Sequence, residues 1–152
     1  MATIDGHMRS LFDSHRADAK YVPFATASKD GVPNVVPVGM VWIENDREIW
    51  IVDNFLNKTL ANIRENPVGS VYLIGEGKEC LQVKGGIRYL TAGPDYDKAR
   101  AFAKSKNEAF PAKGLVKLAV TDVYDTTSGP GAGRRYGRDE RPVRPMGPAP
   151  AA

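Results

Sequence analysis

The chain has 152 residues, of which 42% are hydrophobic and 26% charged, with a formal net charge of +3 and a pI near 9.0. That length suits one domain with its own core; the composition excludes a disordered chain, and no apolar run approaches the roughly 20 residues of a membrane span. The start, Met1-Ala2-Thr3-Ile4-Asp5, has neither a charged leader nor an apolar stretch, and the single thiol, Cys80, excludes an internal disulfide, so a reducing cytoplasm is the expected location.

Taken in chain order, Ile4, Met8, Leu11 and Phe12 recur at helical spacing and predict an amphipathic helix to about Asp18, lying on the outside of the fold. Val22 to Ser28 reads as a strand, Lys29-Asp30-Gly31 as its turn, and Pro33 to Ile43 as one long return strand rich in valine. Glu44 to Arg47 makes a second polar turn before a third strand, Glu48 to Asp53. A helix from Thr59 to Glu65 stops at Asn66-Pro67, because the residue before proline is pushed out of the α region. Val68 to Ile74 is a fourth strand, Gly75 to Lys78 a turn, and Glu79 to Leu90 a fifth strand whose Gly85-Gly86 pair signals a bulge or bend. Pro94 opens a helix to about Lys106 with Ala99, Phe102 and Ala103 on one face, and Leu115 to Tyr124 is the sixth strand.

Short turns between the first three strands require antiparallel pairing and disfavour a doubly wound parallel sheet. The expected fold is mainly β: a six-stranded antiparallel split β-barrel of Greek-key type with two or three peripheral helices, occupying residues 1–127. Residues 128–152 form a Gly-, Pro- and Arg-rich tail that cannot bury enough apolar area by itself and needs a partner to order it. Much of the positive charge lies there, in Arg134, Arg135, Arg138, Arg141 and Arg144. A basic tail suggests nucleic acid, but these arginines lack the aromatic platform that single strands stack on.

The chemistry concentrates at Asn57-Lys58-Thr59, between an apolar strand and a helix start. A cation, a hydroxyl and free backbone amides at that point make a cradle for a phosphate; the plain alternative is that Asn57 only caps the helix. His7 and His15 are eight residues apart on one helix, too far for a metal pair at i, i+4. Trp42 and Trp50 fall on adjacent strands, where they either pack in the core or cover a ligand. Gln82, a neutral donor and acceptor, stands between apolar Leu81 and Val83.

The ordered motifs Phe24 to Asn34, Val35 to Ile43, Asp53-Asn54-Phe55-Leu56-Asn57-Lys58-Thr59 and Leu81-Gln82-Val83-Lys84-Gly85 resemble the FMN-binding split barrels related to pyridoxamine 5'-phosphate oxidase, particularly the small FMN-binding proteins among them, over roughly residues 8–125. The resemblance implies a homodimer with FMN at the subunit interface. It implies that Val38, Gly39 and Met40 face the flavin, that Val52, Asp53 and Asn54 line its other edge, and that Lys58, with Asn57 and Thr59, holds the phosphate. Gln82 is then expected to reach the flavin from the partner subunit or from below. Family enzymes carry an arginine near the position of Pro37, an arginine-lysine pair where this chain has Lys58-Thr59, and a terminal tryptophan and arginine that grip flavin and substrate. Their absence makes vitamin B6 oxidation doubtful and leaves the tail free to lie over the neighbouring subunit's flavin. The expected function is an FMN flavoprotein, an oxidoreductase or an electron carrier, whose donor and acceptor the sequence leaves open. Relatives of this barrel that bind a deazaflavin or haem are the alternatives, a haem calling for His7 or His15 as axial ligand, together with a small basic barrel that binds nucleic acid.

Overall fold

The structure, a computed structural model, describes residues 2–137. Helix α1 (Gly6–Asp18) leads into strands β1 (Val22–Ala27), β2 (Pro33–Val38), β3 (Val41–Ile43) and β4 (Glu48–Asp53). Helix α2 (Lys58–Glu65), β5 (Val68–Ile74), a 3-10 turn at Glu76–Lys78, β6 (Cys80–Leu90), α3 (Pro94–Lys106), β7 (Gly114–Asp125) and β8 (Arg134–Arg135) follow. All pairings are antiparallel, in the order β2-β1-β5-β6-β7-β4-β3, with β8 added on β7. The split-barrel fold is as expected, with eight strands among the described residues instead of six.

One extra strand comes from the run Pro33 to Ile43, which does not stay straight. Its first half pairs with β1 and its second half with β4, at opposite ends of the strand order, so a bend at Gly39-Met40 draws the two ends of the sheet together. The bend is fixed from outside the strand. Met40 O accepts from Val52 N at 2.9 Å, Gly39 O accepts from Arg16 Nη2 at 2.8 Å, and a Cβ on Gly39 would stand 3.1 Å from the Tyr21 ring. Tertiary bonds thus end a segment whose own β propensity would carry on.

Inward side chains at alternate positions, such as Val22 and Phe24, Val71 and Leu73, and Leu81 and Val83, fill the barrel. Met8, Leu11 and Phe12 of α1 join that same cluster, so this helix closes the barrel instead of covering an outer sheet face. Asp5 caps α1, its Oδ1 accepting from Met8 N at 2.9 Å. The other face of β4 and β7 is covered by Ala99 and Ala103 of α3, which pack on Trp50, Val52 and Leu115. Both strands are therefore buried on two sides, and alternation is lost along β4. The bulge falls where the glycine pair signalled it, between Lys84 and Gly85, and a Cβ on Gly85 would lie 2.1 Å from Ala119 O.

After Thr127 the chain turns through Gly129 and Gly133, both at positive φ, and comes back to the sheet. β8 pairs with Tyr124 and Asp125, Arg135 binds Asp122 at 2.7 Å, and the Tyr136 hydroxyl donates to Asp5 Oδ2 at 2.8 Å. Arg138, Arg141 and Arg144 lie outside the described residues. Tyr136→Phe removes one half-exposed hydrogen bond and leaves the cap on Asp5 Oδ1, so a stability loss of about 1 kcal/mol is expected. Thermal melting checks it; an unchanged midpoint means the return strand adds nothing through this contact.

Candidate functional site

The bend at Gly39-Met40, the end of β4 and the start of α2 open onto one cavity of about 850 Å³. Its wall is apolar along the sheet, with Val36, Val38, Met40 and Val52, and aromatic at its margins, with Tyr21, Trp42, Phe55, Phe102 and Phe110. Eight of the ten residues expected at the site line it: Val38, Gly39, Met40, Val52, Asn54, Asn57, Lys58 and Thr59. Asp53 and Gln82 do not.

The helix start keeps its polar groups available. Asn57 holds the N-cap position, its O accepting from Ala61 N at 3.0 Å, but its side chain makes no cap bond, so the first amides of α2 have no intrahelical acceptor. Lys58 is exposed and has no carboxylate partner among the described residues. Thr59 is buried, and its Oγ1 accepts from Asn34 Nδ2 at 3.0 Å, which leaves the hydroxyl proton to donate onward. These groups stand together on the cavity wall at the N-terminus of α2, the end of a helix where backbone amides carry partial positive charge.

Asp53 acts one step behind the wall. It is fully buried; Oδ1 accepts from Leu56 N at 2.9 Å and Oδ2 from the Tyr89 hydroxyl at 2.7 Å, with Lys113 Nζ 3.6 Å from Oδ1. Burial, then the bond to Asp53, pushes the Tyr89 phenol well above its ordinary range. Lys113 N donates to Asp53 O, and Ala112 N donates to Asn54 Oδ1 at 3.0 Å. Loop 54–57 is therefore clamped to the connection between α3 and β7. Gln82 pairs with Tyr72 and Tyr124 on the sheet face opposite the core.

Among the described residues four cations line the cavity, Arg16, Lys20, Lys58 and Lys106, and no carboxylate does. A cleft of one sign with low-dielectric walls selects an anion. Among the described residues the lining also holds no histidine or cysteine, the side chains that most often serve as a general acid or base near neutral pH. Composition and spacing concealed the contributions of Arg16, Phe102, Lys106 and Phe110. Phe102 is on the α3 face read as core, yet it is 42% exposed and meets Trp42 edge-on at 4.8 Å. Trp50 packs in the core and Trp42 lines the cavity, the two rings 6.1 Å apart.

Neither histidine is placed to bind a haem iron in this cavity. His15 is buried and both ring nitrogens are used: Nδ1 accepts from Ile74 N at 2.9 Å, so Nε2–H donates to Tyr21 O at 2.8 Å. His7 pairs with Glu79, whose hydrogen bond and charge raise the imidazole pKa. No cluster of metal-ligating side chains occurs among the described residues. No helix among them is long and apolar enough to cross a membrane.

Comparison with known proteins agrees with this fold. An uncharacterised protein of Methanocaldococcus jannaschii, MJ0282, is 36% identical over 118 residues, covering 76% of this chain and 79% of that protein. Among solved structures, HupZ of Group A Streptococcus superposes with a TM-score of 0.70 at 21% identity, covering 86% of this chain and 99% of that one. An FMN-binding protein of Syntrophomonas wolfei gives 0.62 at 19% identity, with coverage of 76% and 85%. HutZ, the haem storage protein of Vibrio cholerae, gives 0.61 at 13%, with 82% and 95%. At these identities the three structures establish a shared fold and assign no ligand to this chain. The sequence pattern of the pyridoxamine 5'-phosphate oxidase family matches residues 8–127, so with the relative at 36% identity the chain belongs to that family of split barrels.

Proposed function

We propose that the protein is an FMN-binding flavoprotein, an oxidoreductase or electron-transfer protein, with the flavin held at a homodimer interface. The observation that carries this reading is the union in one cavity of a helix start bearing Lys58 and Thr59 and an apolar slot beside Gly39. A phosphate ester of a flat, largely apolar ring system needs both, and about 850 Å³ is within the ordinary range for such ligands. Lys58, the first α2 amides and the Thr59 hydroxyl would hold the phosphate. Val38, Gly39, Met40 and Val52 would hold the ring, with Gly39 allowing close approach of backbone to ligand.

When bound, FMN supplies the hydride and electron chemistry. The chain's own residues bind, orient and screen. The aromatic margin excludes water, and the cations favour negative charge on the ligand. With no histidine, cysteine or carboxylate among the described residues of the lining, protons exchange with water or with the reacting partner.

The dimer reading rests on the outer face of the sheet. Val35, Val68 and Tyr72 are 64%, 49% and 40% exposed there, an apolar surface of the kind that marks an interaction site. Pro37 is exposed and also lines the cavity, so a second copy on this face would help to close the site, and Gln82 between Tyr72 and Tyr124 would be carried to the partner's flavin. One free thiol suits a reducing compartment, and we place the protein in the cytoplasm. Nucleic acid is disfavoured further by Arg135, which is committed to Asp122.

The test is the absorption spectrum of freshly purified protein, the mass of the chromophore released by heat, and the particle mass by light scattering. The expected result is an oxidised flavin spectrum, release of the monophosphate, and a particle of two chains. A colourless protein that takes up no added FMN, or one that releases haem or a deazaflavin, overturns the FMN reading.

A further inference from the structure

Among the described residues, Arg16 is the one cavity cation tied by its side chain to backbone acceptors. It lies in the last turn of α1, half-buried, and its guanidinium donates from Nη2 to Gly39 O at 2.8 Å and from Nη1 to Lys20 O. Among the described residues no carboxylate neutralises it, and the cavity lining contains none. The carbonyl that it grips belongs to the residue where the strand breaks to close the barrel, against the Tyr21 ring. A lysine could not make this two-pronged contact, because only the planar fork of arginine presents paired donors in fixed geometry.

We propose that Arg16 is a positioning and potential-setting residue of the cavity. It fixes the bend that shapes the slot and supplies there an uncompensated positive charge, which favours the reduced over the oxidised form of a bound flavin. The inference rests on the FMN reading above. Adding two electrons and one proton to a neutral ring leaves it with one negative charge, and a fixed cation in a low-dielectric slot binds that form more tightly than the neutral one. Thr59 and Lys58 engage a phosphate whose charge does not change with reduction, so they bind both redox forms alike.

Arg16→Gln and Arg16→Lys, prepared as full-length protein with FMN, separate the two roles. The readouts are the FMN midpoint potential against reference dyes, the affinity for oxidised FMN by fluorescence quenching, and thermal melting of the flavin-free protein. For Arg16→Gln the ratio of reduced to oxidised affinity is expected to fall by about tenfold. Arg16→Lys should weaken binding of oxidised FMN and lower the melting temperature, yet keep most of that ratio, because it keeps the charge. A glutamine variant that loses stability or affinity with an unchanged ratio would show that Arg16 is a structural tether only. Should the glutamine variant not fold, a lysine variant whose ratio collapses overturns the charge role just as well. Wild-type protein that binds no FMN would defeat the underlying reading and this inference together, and the wild-type titration alone identifies that case.

Discussion

Lys58→Ala is expected to weaken FMN binding by roughly 10- to 100-fold, the loss of one charge-assisted contact worth about 1.5–3 kcal/mol. Folding should be nearly untouched, because the side chain is exposed and has no partner among the described residues. The flavin yield of purified protein and a titration of the flavin-free form with FMN and with riboflavin measure the effect. Riboflavin, which lacks the phosphate, should bind wild type and variant alike. Equal loss of both ligands would mean that Lys58 acts on the ring or on the loop, and equal retention would remove the phosphate cradle from the account.

That prediction was legible in the chain because its elements are local. A strand, a three-residue polar stretch and a helix start follow one another within about twenty residues, and each has a composition that reports its backbone. The same holds for the hairpin at Gly31, where Ser28 N donates to Val32 O at 2.9 Å, and for the stop at Asn66. It holds for the bulge at Gly85, where only a glycine tolerates Ala119 O so close. What stayed hidden depends on contacts distant in sequence. Nothing in the valine-rich run announces that Gly39 O is taken by Arg16, 23 residues away, so its composition predicts one straight strand. Arg16 itself resembles any charge on a solvated helix face. Phe102, Lys106 and Phe110 come to the cavity from the end of α3 by tertiary packing, and the two-residue β8 is too short for any period to show. The family resemblance puts Asp53 at the flavin's edge, whereas its bonds to Tyr89 and Leu56 exist only in the folded chain.

Those bonds make Asp53→Ala the substitution with the largest expected cost to folding. A fully buried carboxylate that ties a backbone amide, a phenol and a nearby ammonium group cannot be deleted quietly, since Leu56 N and the Tyr89 hydroxyl are left without acceptors. Two unsatisfied groups at about 1–3 kcal/mol each suggest a loss of about 3 kcal/mol, or roughly 10 °C in melting temperature for a chain of this size. Lys113 is 45% exposed on its side chain, and its contribution is screened by water. Asp53→Asn keeps the shape and one acceptor and should lose less. Because the carboxylate holds loop 54–57, Asp53→Ala should also weaken FMN binding well below its melting temperature, although Asp53 touches no part of the cavity. The same pair sets an alkaline limit. The Tyr89 pKa is raised in the folded chain, so the bond's contribution is intact below the unfolded value near 10.0 and declines as pH climbs past it. Melting curves between pH 7 and 11 should fall more steeply at the alkaline end for wild type than for Tyr89→Phe. Parallel curves would mean that the phenol ionises as freely in the folded protein as in the unfolded one, and that the clamp on the loop is weaker than its geometry indicates.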